Sequence, residues 1–494
     1  MESIQPPPQT IPLAPPLPAQ GQPERLVSLD AFRGITIAGM VLVNNPGSWS
    51  AIYDPLAHAA WDGWTPTDLI FPFFLFMVGV AMTYSFDKRL ASGFSRLRLF
   101  EGVVRRTLML FFLGMILGSF PNLRLITPYI MLIAGLSFLF ANEPPFGKPE
   151  TPSAVRNKVI GGVLLVVSLG WMLLDVGYFT TAFPKDYIWF MAEKYIRIPG
   201  VLQRIAVCYF VASVIVFFAQ GWKSRTAWFV GLVVLYWVIM AYVVPPGSYV
   251  PHSGLEAPEG APYRGELIDY VDQLILGAHL YVSRPDPEGL LSTLPAISSV
   301  LGGVLCGMWL KSARSQESKT NGMFAIGLIL VFIGFCMDPF FPINKKIWSS
   351  SYVVFCTGMG TVCLALCYWF IDVKGYKAWA SPFVVFGTNA ILIFFGSGIM
   401  MRTFYLFRWK RIDSQEIDFG SLAFSNMNKQ PGGFANLKDV IYETLIRNPF
   451  RAFAEKATWF NADHNASLVF AVSFILLWLL IALPLYRKKI FLKV

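Results

Sequence analysis

The sequence predicts an all-α protein, a polytopic bundle of about 11–12 transmembrane helices with two long extracytoplasmic segments. Three observations predict this fold class: 55% of the 494 residues are hydrophobic, only 14% are charged, and the mean hydropathy is +0.53. A soluble globular protein carries about 25% charged residues, so the composition is typical of a membrane protein. The lipid bilayer is therefore the first expected partner.

Runs of apolar residues long enough to cross a membrane recur along the whole chain. They lie near residues 29–45, 67–86, 103–120, 124–141, 158–177, 200–219, 226–244, 291–310, 322–338, 349–371, 380–402 and 467–486. The close pair on either side of Pro121 leaves the count uncertain by one, which gives about 11 or 12 spans.

Residues 1–24 precede the first run and are rich in proline and glutamine. That composition leaves nothing to bury, and the segment has neither the basic start nor the apolar centre of a signal peptide. We expect residues 1–24 to be a disordered cytoplasmic tail and residues 25–494 to form one transmembrane domain.

Basic residues concentrate in alternate connections, which the positive-inside rule assigns to the cytoplasm. Both termini are then cytoplasmic, and residues 245–290 and 403–466 are the two extracytoplasmic segments. The net charge of +10 follows from this topology, so no nucleic-acid partner is expected. Within the second segment, FANLKDVIYETLIRNPF has helical apolar spacing. A lid over the outer mouth and an ordinary packed helix are both open for it.

The segment between the first two apolar runs carries polar groups that a membrane helix normally excludes. Asn44 ends the first run, His58 lies in the loop, and Asp68 opens the second run. A charge near the centre of a membrane helix costs about 2.5–3.5 kcal/mol, so such residues usually face a cavity or the bundle interior. If the hairpin closes, these three side chains converge near the outer membrane boundary.

These residue types suit acyl transfer. A histidine can act as general base or as acyl-accepting nucleophile, and a carboxylate on its other ring nitrogen fixes the tautomer. An asparagine can donate a hydrogen bond to a developing oxyanion. We therefore predict His58, Asn44 and Asp68 as catalytic residues. For Asp68 an N-terminal helix cap is an equally open role.

Further polar side chains within the apolar runs are candidate substrate-binding or cofactor-binding residues. Asp30 and Arg33 either pair with each other at i, i+3 spacing or leave Arg33 for an anionic ligand. Lys345 and Lys346 are expected to be solvated. The remaining candidates lie near predicted outer helix starts or on the basic inner rim of the bundle. They are Asp62, Gln203, Arg204, Asp286, Glu288, Asn344, Arg105 and Arg106. Snorkelling to the interface is the alternative for Arg204.

Several other functions lack their sequence signature. No Walker sequence, GxGxxG, HExxH or GxSxG motif is present, which argues against an ATP-driven pump and an ordinary serine hydrolase. All six cysteines lie in or beside apolar runs, without metal-ligand spacing to a histidine. We therefore expect neither a metal site nor a disulfide framework.

The segments SLDAFRGITIAGMVLVNN and HAAWDGWTPTDLIFPFFLFMVG resemble the heparan-α-glucosaminide N-acetyltransferase family of membrane acetyltransferases. GVLQRIAVCYF, LGAHLYVSRPDPEGLLST and PINKKIWSSSYVVFCTG extend the resemblance from Arg25 to Phe395. It implies transfer of acetyl from cytoplasmic acetyl-CoA, a co-substrate, to the amino group of a terminal glucosamine across the membrane. It also implies that the family's essential histidine, asparagine and aspartate are His58, Asn44 and Asp68. Covalent and ternary-complex mechanisms stay open.

Departures from the lysosomal members of that family imply a bacterial relative in a cytoplasmic (inner) membrane. Those members have a long glycosylated N-terminal region, where this chain has the proline-rich segment, and a neutral residue where it has Asp62. The expected acceptor is therefore an amino sugar of an envelope or scavenged glycan. The sequence leaves open whether the protein forms a homodimer.

Acetyl-CoA is too polar to cross lipid, so it would enter a protein channel from the cytoplasm, with its phosphates attracted to Arg105 and Arg106. Two alternatives remain. Membrane O-acyltransferases have a similar opening motif, LDxLRG, but usually carry a histidine where this chain has Asn44. A sugar or drug transporter would typically show an internal repeat, which this sequence lacks.

Overall fold

The computed structural model describes residues 26–140, 152–175, 196–247, 266–281, 285–411, 417–424, 434–454 and 461–491. Within them the chain forms sixteen α-helices and a small three-stranded sheet. The helices are α1 Val27–Asn44, α2 Ile70–Ala91, α3 Arg96–Ser119, α4 Leu123–Leu139, α5 Pro152–Leu174, α6 Val201–Phe218, α7 Gly221–Tyr242, α8 Glu266–Leu276, α9 Thr293–Lys311, α10 Gln316–Met337, α11 Ser350–Tyr368, α12 Ser381–Thr388, α13 Ala390–Phe404, α14 Leu437–Tyr442, α15 Asn448–Ala454 and α16 Ala462–Arg487. The predicted disordered tail lies outside the described residues.

The predicted fold class, a polytopic helical membrane protein, is confirmed. Among the described residues, nine helices are long and apolar enough to cross a membrane, and α12 with α13 makes a tenth if that bent pair is one span. Every predicted apolar run corresponds to a helix. This count is lower than the predicted 11–12 spans because α3 and α4 are not included in it. Helix α3 begins with several arginines, and α4 has only 17 residues.

The centre of the bundle is formed by α2, α9 and α11, whose residues are largely buried. Glycines let α2 and α9 approach closely, as is usual between membrane helices. A Cβ on Gly79 would lie 1.9 Å from the Val300 carbonyl oxygen, and one on Gly303 would lie 1.8 Å from the Phe76 carbonyl oxygen. By contrast α5, α7, α10 and α16 are mostly exposed, as expected for helices that face lipid.

A break separates α12 from α13 at Asn389, where the two helices meet at 81°. The Asn389 side-chain amide donates to the carbonyl oxygen of Ile490, at 3.2 Å. On the other side α12 crosses α1, because Gly34 and Gly387 leave no side chain between the two backbones. This arrangement places α13 beside α1 and α3, where it forms one wall of the functional cavity.

The only strands among the described residues lie in the second long segment and were not predicted. β1 Phe407–Arg411 pairs antiparallel with β2 Ile417–Phe424 and with β3 Phe434–Asn436, in the order β2-β1-β3. The predicted helix of that segment therefore begins only at Leu437, after a capping box between Asn436 and Asp439. Phe434, assigned to the helix by spacing, lies in a strand instead.

The helix that follows β3 packs onto the outer end of α1. Lys438 donates to the carbonyl oxygen of Gly47 at 2.5 Å, and the Ser48 backbone N–H donates to the Ser467 hydroxyl at 3.0 Å. A Cβ on Gly47 would lie 2.4 Å from the Tyr442 ring, so this contact requires glycine. The C-terminal part of the chain thus holds the segment that leaves α1.

Candidate functional site

The loop between α1 and α2 brings His58 against Asp68. His58 Nδ1 donates to Asp68 Oδ1 at 2.7 Å. The imidazole side chain is 50% exposed, whereas the Asp68 side chain is 1% exposed. One ring nitrogen is therefore fixed by a buried carboxylate, while half of the imidazole surface stays accessible. This is the geometry that orients a catalytic histidine.

Asp68 forms the predicted N-terminal cap and also contacts His58. It lies in a 3-10 turn, Pro66–Leu69, and forms a capping box with Thr65 that precedes α2. Its Oδ2 accepts hydrogen bonds from the backbone N–H groups of Ala59 and Thr65, at 3.0 and 3.1 Å, and from the Thr65 hydroxyl. Its Oδ1 is left for the imidazole. The cap therefore determines which carboxylate oxygen faces His58.

Lys345 completes this cluster and was missed by the sequence analysis. Its Nζ lies 3.0 Å from His58 Nδ1, 3.3 Å from Nε2 and 3.4 Å from Asp68 Oδ1. The side chain is only 21% exposed, so the predicted solvation is wrong for this residue. Burial lowers the pKa of the Lys345 ammonium, and the charges of Asp68 and Glu288 partly oppose that effect. Lys346 instead lies over the Trp61 ring, 5.4 Å from its centre.

Asn344 and Asp62 hold the two loops of the cluster together. Asn344 is fully buried, and its amide nitrogen donates to Asp62 Oδ1 at 3.1 Å. Its amide oxygen accepts from the backbone N–H of Ile347 at 3.2 Å. The Gly63 N–H also donates to the Ile343 carbonyl oxygen, at 2.7 Å. Asn344 was predicted to bind substrate or cofactor, but the structure gives it a structural position.

A cavity of about 540 Å³ opens between α1, α3, α6 and α13. Three of the predicted residues line it: Asn44, Gln203 and Glu288. Polar and aromatic lining residues that the sequence analysis did not single out are Trp49, Arg197, Tyr281, Arg402, Tyr405 and Lys438. His58 is not among the lining residues. The expected convergence is therefore partial, since His58 and Asp68 meet in the loop while Asn44 faces the cavity.

One wall of the cavity is an ion-pair cluster. Arg197 Nη2 lies 2.7 Å from Asp286 Oδ1 and 2.7 Å from Glu288 Oε2, and its Nε donates to Asp286 Oδ2 at 3.3 Å. The guanidinium also stacks on Tyr281, 4.4 Å from the ring centre. Asp286 is fully buried, so of the two predicted carboxylates only Glu288, at 14% exposure, is available to a ligand.

Arg204 is buried behind this wall rather than snorkelling or lining the cavity. It is 2% exposed and lies over the Trp348 ring, 5.1 Å from the centre. Its Nη2 donates to the Gly289 carbonyl oxygen at 2.9 Å and to the Ser292 hydroxyl. The predicted ligand-binding role of Arg204 is therefore not supported by its position. Only its neighbour Gln203 faces the cavity.

Asp272, on α8, supports the same wall from behind. Its Oδ1 accepts from the backbone N–H groups of Leu290 and Leu291, at 2.8 and 3.2 Å. Its Oδ2 has no hydrogen-bond partner among the described residues. Burial raises the pKa of this carboxyl from 3.8 to about 7, while the two backbone bonds and the Arg204 charge oppose the rise and Asp286 adds to it.

The remaining predicted residues lie away from both the loop and the cavity. Asp30 and Arg33 form an ion pair within α1, as the structural alternative predicted. On α3, Arg105 packs on the Phe140 ring at 5.4 Å and Arg106 on the Tyr209 ring at 5.0 Å. None of these four residues lines the cavity. No group of three or more metal-ligating side chains occurs in the part of the chain that the structure describes.

Residues 25–121 match a protein family described as "Heparan-alpha-glucosaminide N-acetyltransferase, catalytic". This range contains α1 to α3 and the predicted catalytic residues. A heparan-alpha-glucosaminide N-acetyltransferase of Mus musculus is 28% identical over an alignment 454 positions long. The alignment covers 81% of this chain and 58% of that protein. The Homo sapiens protein of the same name is 27% identical over an alignment 515 positions long, which covers 96% of this chain and 60% of that protein.

These comparisons support the resemblance seen in the sequence motifs: the chain is similar to these N-acetyltransferases, and its described part contains nine helices long and apolar enough to cross a membrane. The chain spans about three fifths of the length of the two curated relatives.

Proposed function

We propose that this protein is a transmembrane N-acetyltransferase. It moves acetyl from cytoplasmic acetyl-CoA to the amino group of a glucosamine-type sugar on the opposite side of the membrane. The observation that carries the proposal is the 2.7 Å hydrogen bond between His58 and the buried Asp68, within the range that matches the catalytic family. A solvent-exposed histidine with a fixed tautomer is suited to act as the general base in acetyl transfer to an amine.

The chemistry balances with one histidine. The acceptor amine attacks the thioester carbonyl, the new N–C bond forms, and the amine proton passes to His58 Nε2. The C–S bond then breaks, and CoA leaves as a thiolate that takes up a proton. In the covalent variant, His58 first accepts the acetyl group and then passes it to the amine. Asp68 keeps Nδ1 protonated in both variants, and Asn44 is the candidate donor to the oxyanion.

The donor would approach along α3. Arg105 and Arg106 lie on the same helix as Gly114, which lines the cavity. Eight residues of α-helix separate Arg106 from Gly114, which is about 12 Å at 1.5 Å per residue. Both guanidinium groups pack on aromatic rings and are candidates to attract the phosphates of CoA. The basic loop before α3 supports a cytoplasmic entrance on this side.

The acceptor would occupy the cavity. A volume of about 540 Å³ lies within the range of small-ligand sites. Trp49 and Tyr281 offer aromatic faces to a sugar ring, and Gln203 and Asn44 offer amide groups to its hydroxyls. Glu288 supplies a carboxylate for a protonated amine. From there the amine would have to reach the edge of His58 at the adjoining loop.

The decisive experiment uses radiolabelled acetyl-CoA with purified protein in liposomes and a panel of acceptors. We expect label on glucosamine and glucosaminides but not on glucose or N-acetylglucosamine. His58→Ala should lower turnover by about 10² to 10⁴-fold, the usual contribution of a general base. His464→Ala is the matched control, because His464 is another exposed histidine and lies at the start of α16. Unchanged turnover in His58→Ala would remove the mechanism.

One observation favours a second candidate. The 81° break between α12 and α13 is typical of helices that form ion and substrate sites in transporters. A transporter would carry the unmodified sugar into liposomes without acetyl-CoA, and it would do so equally well with His58→Ala. Acetylation of hydroxyl-bearing rather than amine-bearing acceptors in the same panel would indicate the O-acyltransferase alternative.

A further inference from the structure

Three ionisable side chains from two distant parts of the sequence meet at the loop site. His58 and Asp68 come from the α1–α2 loop, whereas Lys345 precedes α11 and is 287 residues from His58. Lys345 Nζ contacts both ring nitrogens of His58 and the Asp68 Oδ1 that accepts from Nδ1. A surface lysine has no reason to be held so closely, because ordering its side chain costs about 1.5–2 kcal/mol.

We propose that Lys345 is a positioning residue for His58: its ammonium holds the ring against Asp68 and balances the charge of the Asp68 carboxylate beside the ring. The inference rests on the proposed function, since it assigns a role in the same transfer. Lys345 acts through His58, and no contact between Lys345 and substrate is part of the proposal.

The backbone keeps Lys345 in this place. The preceding residue, Asn344, is bonded to Asp62 in the His58 loop, and its own backbone N–H donates to the Ser349 hydroxyl at 3.0 Å. Lys345 in turn accepts the backbone N–H of Trp348 on its carbonyl oxygen, at 3.1 Å. This turn, with its buried Trp348, fixes the lysine backbone. The ammonium position is therefore a property of the fold.

The electrostatic consequence is a balance of opposite charges around the ring. Asp68 favours a positive charge on the imidazole, and the Lys345 ammonium, about 3 Å away, disfavours it. The other charged group that acts on Lys345 is Glu288 at the cavity wall, and the buried Cys356 on α11 is an uncharged neighbour. Asp62, in the same loop as His58, accepts a hydrogen bond from the Asn344 side-chain amide. If Lys345 loses its charge, Asp68 faces the ring unopposed.

The test uses Lys345→Met and Lys345→Gln, two neutral variants, with Lys345→Arg as the variant that keeps the charge. Lys346→Met is the matched control, because it removes a neighbouring lysine that contacts Trp61 instead of His58. All variants must first elute as folded protein. If neither neutral variant can be obtained folded, Lys345 is a structural residue and the proposal fails.

The first readout does not depend on acetyl transfer. Diethyl pyrocarbonate reacts with neutral imidazole, and mass spectrometry of the peptide that contains His58 gives the rate at each pH. We expect the midpoint of this reaction to move to higher pH by about one unit in both neutral variants, the usual size of a single nearby charge. Lys345→Arg and Lys346→Met should keep the wild-type midpoint. An unchanged midpoint in both neutral variants overturns the proposal.

The second readout is the pH profile of acetyl transfer. In the neutral variants the acid side of the profile should move to higher pH, so that turnover lost at pH 6.5 is largely recovered at pH 8.5. A loss that is equal at every pH indicates a purely structural role and contradicts the proposal. If no variant and no wild-type protein transfers acetyl, the proposed function fails, while the carbethoxylation result still decides the role of Lys345.

Discussion

The loop site and the cavity differ in how completely their polar groups are paired. In the loop, both oxygens of Asp68 are used, and Asn344 is bonded at both ends of its amide. Lys345 Nζ lies within 3.4 Å of three atoms of His58 and Asp68. In the cavity, Asn44 and Gln203 line an open volume, and Glu288 shares a guanidinium with Asp286. The loop is therefore fixed before any ligand arrives, whereas the cavity offers unfilled space.

This difference separates two tasks of an enzyme. A preorganised histidine does not have to be oriented during the reaction, which is an important part of catalysis. A roomy cavity with few fixed polar groups can accept a sugar and position it by contacts made on binding. The two regions are near enough for the charge of Glu288 to oppose the lowering of the Lys345 pKa by burial. Mutations in the loop should thus lower kcat, and mutations in the cavity should raise KM.

The largest effect is expected for Asp68→Asn. Asparagine has one acceptor oxygen where the carboxylate has two, so it cannot accept from His58 on one side and from the Ala59 and Thr65 N–H groups on the other. The wrong tautomer of His58 therefore becomes available. Turnover should fall by about 10³ to 10⁴-fold, as for the aspartate of a catalytic triad. Steady-state kinetics with labelled acetyl-CoA measures it.

Thr65→Ala is the control for the other role of Asp68. It removes the hydroxyl of the capping box but leaves the carboxylate and its contact with His58. It should destabilise the protein by about 1 kcal/mol and change kcat little. If Thr65→Ala lowers kcat as much as Asp68→Asn, the carboxylate acts only as a cap, and the loop loses its catalytic assignment.

Asn44→Ala comes next and tests the boundary between the two regions. If Asn44 donates to the oxyanion, kcat should fall by about 10²-fold with little change in the acetyl-CoA KM. Asn45→Ala is the comparison, since Asn45 also borders the cavity but its side-chain amide donates to the Val41 carbonyl oxygen. A rise in KM at constant kcat would instead make Asn44 a binding residue of the cavity.

A smaller effect is expected from filling the cavity wall on α3. A Cβ on Gly114 would lie 2.2 Å from Gln203 Oε1, so Gly114→Ala must displace that side chain. The acceptor KM should rise by a few fold, the size expected for one lost neutral hydrogen bond. Gly118→Ala lines the same cavity but meets nothing within 4 Å and should behave as wild type. Equal KM values for both variants would mean that Gln203 does not contact the acceptor.

The smallest effect on turnover is expected at the support of the cavity wall, where the prediction is a dependence of stability on pH. The pKa of Asp272 is raised to about 7 in the folded protein, so the folded state binds a proton that the unfolded state has already released. Stability from this group is complete below about pH 4 and is lost towards pH 7, at up to about 1.4 kcal/mol per pH unit. Relative to Asp272→Asn, the wild-type Tm should fall between pH 5 and pH 8. A constant difference in Tm would contradict it.

The sequence was sufficient for the fold class and for the His58–Asp68 pair, because both depend on local patterns. Apolar runs identify membrane helices, and the sequence separation of ten between His58 and Asp68 allows only a short loop. Arg204 shows the limit of this approach. A charge within an apolar helix indicates a cavity, but here the aromatic ring of Trp348 and the Gly289 carbonyl oxygen bury it.

Lys345, Arg197 and Lys438 were missed for a common reason. Each acquires its role from partners far away in the sequence, such as Gly47, which is 391 residues from Lys438. A single sequence carries no record of which loops meet, so these three basic residues resemble ordinary surface residues. The one signal for Lys345 is that its turn leads into a run of small and aromatic residues, WSSSY, at a helix start.

The bonds of Gly47 and Ser48 to Lys438 and Ser467 also bear on biosynthesis. Helix α1 is made first, but the segment that follows it is held by Lys438 and Ser467, which are added 391 and 419 positions after their partners Gly47 and Ser48. A chain that stops before α14 inserts its early helices, yet the segment after Asn44 lacks both of these contacts. Acetyl transfer should therefore arise only in the completed polypeptide, and truncated translation products should be inserted in the membrane but inert.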